Sequence, residues 1–428
     1  MSTSSTQIQP KLQQQRLPLA LRAFLGTLEF IDSKSGMLSR AIGPLDVESV
    51  LLRAAKLARG PVELNTTDEA LLRRWLNEFA KAIPLSVIGK AAMKHRAART
   101  VALRSLLDNR ISSRPEIIAK PVHRPVFIVS MPRTGTTFLH KLLSQDHRAR
   151  PLYAWEALSP VVSEKSLQRK EDPRIRQARY ISWMQRILVP GFSRMHKFDP
   201  LGPEEDTPLL KSTFVSPTDL VFPSGYREWY MQQSPADLSR HLEFYERLLQ
   251  LLQSERPVPD DGFWALKSPV HGYHLLSLRE RFPNAKFIVL HRRMSEVIPS
   301  FCSIMSYFFE AILSDKELIR AVPSLLVDWC DCGLRRISES NELIKSSIIN
   351  IHYRQLVSDP LSTMRKVYSE ADISFNEETE RGIADYIDRN PKNKHGSHRY
   401  SAEEFGLSES QLDSRFEWYH RLYDVPLH

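Results

Sequence analysis

The chain contains no apolar run of the roughly 18 residues that a membrane-spanning helix needs, so no transmembrane segment is expected. Its N-terminus, MSTSSTQIQPKLQQQ, lacks the apolar core of a secretory signal. One Lys, one Arg and no acid in the first sixteen residues fit an organelle-targeting bias as well as a solvated tail, and residues 1–16 are read as a disordered tail. Three cysteines cannot build a disulfide framework. Cys330 and Cys332 lie two apart in an expected helix and point in different directions, so the thiols read as small buried hydrophobes of a reducing compartment, and a cytoplasmic location is expected. No internal repeat, low-complexity tract or recognised nucleic-acid motif occurs.

What is present is ordinary in bulk and biased in charge. A hydrophobic fraction of 42% with 25% charged residues excludes wholesale disorder, and 428 residues at roughly 150 per domain leave room for two or three domains. Lys and Arg number 59 against 50 acids, a net charge of +9 that suggests an anionic partner: nucleic acid, an acidic membrane surface or a small multiply phosphorylated ligand. The basic residues are spread along the chain, so nucleic acid is not expected.

Residues 17–105 have helical periodicity, with apolar faces at Leu17, Leu19, Ala20, Leu21, Phe24, Leu25 and at Val47, Val50, Leu51, Leu52, Ala55, Leu57. A Pro- and Ser-rich connector starts at residue 111, closing a helical N-terminal region and connector over 17–120. Short apolar strands follow at Val126–Val129, Phe263–Leu266, Phe287–Leu290 and Ile348–Ile351. Helical patterns at 138–144, 273–281, 295–313, 316–345 and 361–371 separate them. This alternation predicts an α/β domain over 121–428 with a parallel sheet flanked by helices. Residues 164–260 show Pro-punctuated helices and no strand, and read as an insertion over the ligand edge of the sheet.

The sharpest motif is Val126-Phe127-Ile128-Val129-Ser130-Met131-Pro132-Arg133-Thr134-Gly135-Thr136-Thr137-Phe138. A buried strand feeds a tight turn with one Gly, Thr hydroxyls and an Arg, then opens a helix, which makes an anion cradle. It is not a Walker A loop, because the first Gly is absent and Thr136 stands where the Lys belongs. A second cationic strand end, Lys286 to Arg293, is followed by Ser300 eight residues after Arg292. Two anion sites at the ends of parallel strands fit a nucleotide with two separate phosphate groups.

PRTGTT at 132–137 resembles the 5′-phosphosulfate loop of sulfotransferases that use 3′-phosphoadenosine 5′-phosphosulfate (PAPS), and the resemblance covers roughly residues 122–428. It is closest to a bacterial-type branch with a helical N-terminal extension. The resemblance implies a P-loop-like three-layer fold, PAPS as sulfuryl donor and no metal. It places Arg133, Thr134, Gly135, Thr136, Thr137 and Phe138 at the 5′ side and Arg292 and Ser300 at the 3′-phosphate. It also places Tyr353 near the adenine, Lys267 in the active site, and Lys394, His395 and Gly396 in a closing basic loop.

Sulfuryl transfer needs charge neutralised on the leaving phosphate and a proton removed from the acceptor. Arg133 and Lys267 are the expected stabilisers of the leaving oxygen. Glu156, after an expected second strand, is the preferred base, with His271 as its rival. The acceptor is expected to be a small apolar or phenolic hydroxyl compound. Trp183, Phe192, Phe198, Phe214, Phe222, Tyr226, Trp229 and Tyr230 either line its pocket or form the core of a helical cap. The alternatives are a nucleotide-dependent, kinase-like phosphotransferase and a non-enzymatic polyanion-binding protein.

Overall fold

The computed structural model describes residues 17–195, 198–390 and 400–427. Five parallel strands form one sheet in the order β2-β3-β1-β4-β5: β1 (Pro125–Val129), β2 (Ala149–Pro151), β3 (Phe263–Ser268), β4 (Lys286–His291) and β5 (Ile348–His352). The four strands legible as apolar runs are all present, each a residue or two longer, and β2 is the short edge strand before Glu156. β1 is buried on both faces. Phe127 and Val129 pack into one apolar layer with Phe287 and Val289, while Val126 and Ile128 pack into the other with Leu139, Leu142 and Ile351. Continuous apolar runs, rather than alternating ones, follow from helices covering both faces.

The helices that position the site are α1 (Leu19–Ser35), α2 (Val87–Ser113), α3 (Thr136–Leu143), α4 (Pro173–Leu188), α5 (Pro190–Met195), α6 (Thr207–Lys211) and α7 (Met294–Ile312). α2 continues to Ser113, through the start of the expected connector. It opens at Ser86, whose Oγ accepts from the amide of Gly89 at 3.0 Å, and Gly89 lies against the backbone of α7: a Cβ there would come within 2.1 Å of the Ile312 carbonyl oxygen. The N-terminal helices thereby share one hydrophobic core with a face of the sheet, running from Val50 and Trp75 to Phe127. The apolar face expected on α1 is not part of that core. α1 has no buried residue, and Leu19 and Phe24 are exposed.

The described residues of 164–260 contain helices and no strand. Phe214, Phe222, Tyr226 and Tyr230 are buried, and their rings meet the N-terminal helices and α7 through the pairs Trp75–Phe214, Phe79–Tyr226 and Phe222–Phe309. These aromatics are the cap's core. Trp183 points outward.

Candidate active site at the carboxyl ends of β1, β3 and β4

The chain leaves β1 toward the β2 side of the sheet and leaves β4 toward β5, so the reversal lies between β1 and β4, where open α/β sheets bind ligands. Arg133 follows β1 and Arg292 follows β4. The structure brings them together: Arg292 Nη1 donates to the Arg133 carbonyl at 3.0 Å, and Arg133 Nε donates to Ser300 Oγ at 3.0 Å. The Arg292 guanidinium stacks 4.1 Å from the Tyr353 ring centroid, at the end of β5. Glu296, one turn into α7, accepts from Arg292 Nε at 2.9 Å.

The loop between β1 and α3 has an unusual backbone. Arg133 takes φ 70° and Gly135 φ 101°, so two left-handed residues turn the chain sharply. A Cβ at Gly135 would sit 2.7 Å from Cδ2 of Tyr353, so this position must be bare for the ring to pack. Thr134 is buried and its hydroxyl donates to the Met131 carbonyl at 2.9 Å, a contact that shapes the loop. α3 starts at Thr136, two residues earlier than its periodicity predicts, so the first helical N–H groups at the cradle belong to Thr136 and Thr137. Phe138 N–H bonds the Gly135 carbonyl. Thr137 is exposed at this turn. The donor set fits a dianionic phosphate: bare backbone, exposed hydroxyl and two guanidinium groups.

Burial lowers the pKa of Arg133. Tyr400 and Glu205 oppose the effect, and Arg292 adds to it. Lys394, His395 and Gly396 lie outside the described residues. Tyr400, the first described residue beyond them, is thus an electrostatic neighbour of Arg133 in the loop after β1.

Lys267 is buried at the end of β3, and its Nζ lies 2.7 Å from Glu205 Oε1. In register it pairs with Ile128, so it shares the sheet face of α3 and His140. Burial pulls His140 down to about 3, with the Lys267 charge adding to the effect. Glu205 belongs to the insertion and precedes α6. The Thr207 hydroxyl donates to its other oxygen at 3.2 Å, and Thr207 and Ser268 hydroxyls are 2.7 Å apart. Lys211, one turn beyond Thr207 on α6, feels Glu205 and Asp219; burial, the largest effect, and Arg96 lower its pKa.

Neither residue expected as the base stands in this cluster. Glu156 is buried at the first turn of the short helix Ala154–Leu158. Arg150 donates to it at 2.7 Å, Arg256 at 3.0 Å and the Tyr153 amide at 2.9 Å. Burial alone would raise its pKa, and the two guanidinium groups more than offset that, holding it below the ordinary carboxylate range. Its lone pairs are committed to a capping box and an ion triad, which corrects the expectation that it meets an acceptor. His271 is fully buried on the opposite face of the sheet from Lys267. Its ring packs edge-on against Phe127 at 5.0 Å, and its Nε2 is 3.0 Å from Asp206 Oδ2. Glu205 was missed by sequence reasoning. The signal available was the acidic run Glu204-Glu205-Asp206 after Gly202-Pro203, in an insertion read only for its aromatics.

The family model described as "Sulfotransferase family" matches residues 125–377, more than half of the chain. Curated relatives named omega-hydroxy-beta-dihydromenaquinone-9 sulfotransferase Stf3, from Mycobacterium bovis and Mycobacterium tuberculosis, are 26% identical over 263 residues. That match covers 59% of this chain and 63% of each relative, so it spans less than two thirds of their length. The crystal structure of sulfotransferase STF9 from Mycobacterium avium superposes with a TM-score of 0.75 at 26% identity, covering 90% of this chain and 98% of that one. Sulfotransferase STF1 from M. tuberculosis shares the fold, with a TM-score of 0.71 at 22% identity over 87% of this chain and 98% of its own. By its matched sequence and its fold, the chain belongs to the sulfotransferase family.

Proposed function

We propose that the protein transfers a sulfuryl group from PAPS to the hydroxyl of a small apolar or phenolic acceptor. The observation that carries the reading is the convergence of Arg133 and Arg292 at the sheet's reversal point, tied through Ser300 and stacked on Tyr353. In this reading the α3 N-terminus and Arg133 hold the 5′-phosphosulfate, Arg292 and Ser300 hold the 3′-phosphate, and Tyr353 borders the adenine. PAPS supplies an activated sulfuryl group on a bridging oxygen.

Glu205 takes the acceptor's proton, and Lys267, 2.7 Å away, neutralises the bridging oxygen as its bond to sulfur breaks. The acceptor oxygen forms the new bond to sulfur, and 3′-phosphoadenosine 5′-phosphate leaves with the electron pair. Glu205 fits the role better than Glu156 because it is only partly buried and lies in the electrostatic field of Arg133. The name of the mycobacterial relatives specifies an omega-hydroxy-dihydromenaquinone, which supports an apolar, hydroxyl-bearing acceptor class.

Calorimetric titration of the protein with 3′-phosphoadenosine 5′-phosphate in chelator tests the donor site. Binding at micromolar or tighter affinity, far above that for ATP, is expected. Binding only with Mg²⁺, or equal affinity for ATP, overturns the reading.

A further inference from the structure

α4 separates its charges and apolar groups in a way its place in the core does not require. Its sixteen residues, PRIRQARYISWMQRIL, hold four arginines and no acid. Arg174 turns inward and pairs with Asp172 and Glu255. Arg176, Arg179 and Arg186 face out, Arg179 donating to Glu171 just before the helix at 2.6 Å. Tyr180 (59% exposed), Trp183 (50%) and Ile187 (56%) form an outward stripe at helical spacing, with Tyr180 and Trp183 ring centroids 5.9 Å apart. Arg179 and Arg186, seven positions apart, flank that stripe. A large aromatic at half exposure is costly to leave in water and is the residue type that settles at a lipid headgroup boundary.

This face connects to the phosphate loop through packed groups. Phe192 on α5 meets Phe308 edge-on at 5.1 Å, and Phe308, on α7, is itself 48% exposed. Met195, at the end of α5, offers its carbonyl to Arg133 Nη1 at 3.5 Å. Beneath α4, Ser182 donates to the Phe198 carbonyl at 3.3 Å, on the segment that leads to Glu205.

We infer that the outer face of α4 docks the protein on an anionic lipid bilayer. An interfacial helix of this kind combines Trp and aliphatic groups on one face with Arg beside them. Charge points to an anionic occupant: Arg176 and Arg186 on the outer face complement anionic headgroups, and the whole chain is +9. No helix among the described residues is long and apolar enough to cross a membrane, so the contact is peripheral. The inference concerns a surface and stands independently of the donor.

The test is co-sedimentation of the full chain with vesicles of phosphatidylcholine and phosphatidylglycerol in equal parts, against vesicles of phosphatidylcholine alone. Wild type sediments with the mixed vesicles, and less so as salt rises. Trp183→Ser combined with Ile187→Ser weakens vesicle binding at least roughly tenfold. Arg176→Gln and Arg186→Gln each weaken it roughly fivefold, and Gln keeps the helix. Affinity for 3′-phosphoadenosine 5′-phosphate is measured alongside and stays at the wild-type value in the arginine variants. Should the Trp183/Ile187 variant misfold, the arginine variants carry the test.

Equal sedimentation of wild type and variants overturns the inference. So does loss of binding through Leu19→Ser and Phe24→Ser on α1 with the α4 variants unaffected. A wild-type dimer that the α4 variants convert to monomer overturns it too, because the face then belongs to a second copy. Vesicle binding without nucleotide binding leaves the docking surface standing and sinks the proposed donor.

Discussion

The ammonium of Lys267 lies 2.7 Å from a carboxylate oxygen of Glu205. The next residue in the chain, Asp206, accepts instead from His271 and from Tyr245 on the other face of the sheet. Two adjacent acids of the insertion thus part around the end of β3: one is drawn into the cleft and the other into the core. The Asp206 amide bonds the Lys267 carbonyl at 3.0 Å, which fixes the insertion against the strand at this point.

That division gives the first prediction. Glu205→Gln keeps the shape and removes the proposed base, so kcat is expected to fall about 10²–10⁴-fold. Affinity for 3′-phosphoadenosine 5′-phosphate stays within a few-fold. His271→Asn, in contrast, loses a buried partner of Asp206, and its effect appears in urea unfolding rather than in turnover per folded molecule. A Glu205→Gln enzyme with wild-type turnover on an unactivated alcohol would place the base elsewhere.

Glu156 behaves as a structural ion. Glu156→Gln leaves Arg150 and Arg256 with an uncompensated charge, at a cost on the order of 3 kcal/mol. Because its folded pKa lies below the unfolded value, the wild-type stabilisation is fully present above the ordinary carboxylate range and is lost as pH falls through the folded value. Urea midpoints measured from pH 7 to 3 show a steeper acid decline in wild type than in Glu156→Gln. Turnover per folded molecule stays within a few-fold.

Arg292→Ala removes a charge-assisted contact worth about 1.5–3 kcal/mol, so affinity for 3′-phosphoadenosine 5′-phosphate drops roughly ten- to a hundredfold. Arg133→Ala lowers turnover more than affinity if its charge faces the leaving oxygen, as the proposed reading requires. Calorimetry and single-turnover rates separate the two. Unchanged affinity in Arg292→Ala removes it from the 3′-phosphate site.

The strands and the phosphate loop were legible because both are local signals. A strand covered on both faces reads as an apolar run, and an anion-binding turn needs small and hydroxyl residues within a few positions. That Arg292 and Ser300 both come to Arg133 follows from a local spacing as well, since they lie about two helical turns apart on one strand–helix unit. Glu156 lies after β2 as expected, but its side chain turns to Arg150, six residues back, and to Arg256, a hundred residues on, and the second of these no local pattern encodes. The Glu205–Lys267 pair spans 62 residues and depends on how the insertion folds back, which no local pattern encodes. On α1, helical periodicity was real, but the face it marked has no core to meet.

Buried neutral histidines set an acid limit. Burial holds His140 at about 3 and His291 at about 4, the latter despite a 2.8 Å contact between its Nε2 and Asn350 Oδ1. Both folded values lie below the unfolded value, so the unfolded chain binds protons that the folded one does not. Stability is complete above about pH 6.5 and falls by about 1.4 kcal/mol per pH unit for each such group down to its folded value. Unfolding free energies at pH 7.5, 6 and 5 show this slope, and His291→Asn makes it shallower. A flat profile across that window shows that these histidines titrate alike in both states.

Two geometric demands meet at Gly135. Its φ of 101° is outside the range that L side chains adopt comfortably, and an added Cβ meets the Tyr353 ring at 2.7 Å. Gly135→Ala therefore acts twice: it strains the loop, and it pushes Tyr353 away from the Arg292 guanidinium stacked on it. Strain alone lowers stability by about 1–2 kcal/mol and leaves the 3′ side intact. Displacement of the ring also weakens binding of 3′-phosphoadenosine 5′-phosphate, by roughly tenfold. The double variant with Tyr353→Ala separates the two. If the ring carries the effect, Gly135→Ala costs nothing further in affinity once Tyr353 is gone, and the double variant loses less than the sum of the two single losses. If the two losses add, the loop acts on the phosphate directly through its backbone, and Tyr353 contributes independently at the far side of Arg292.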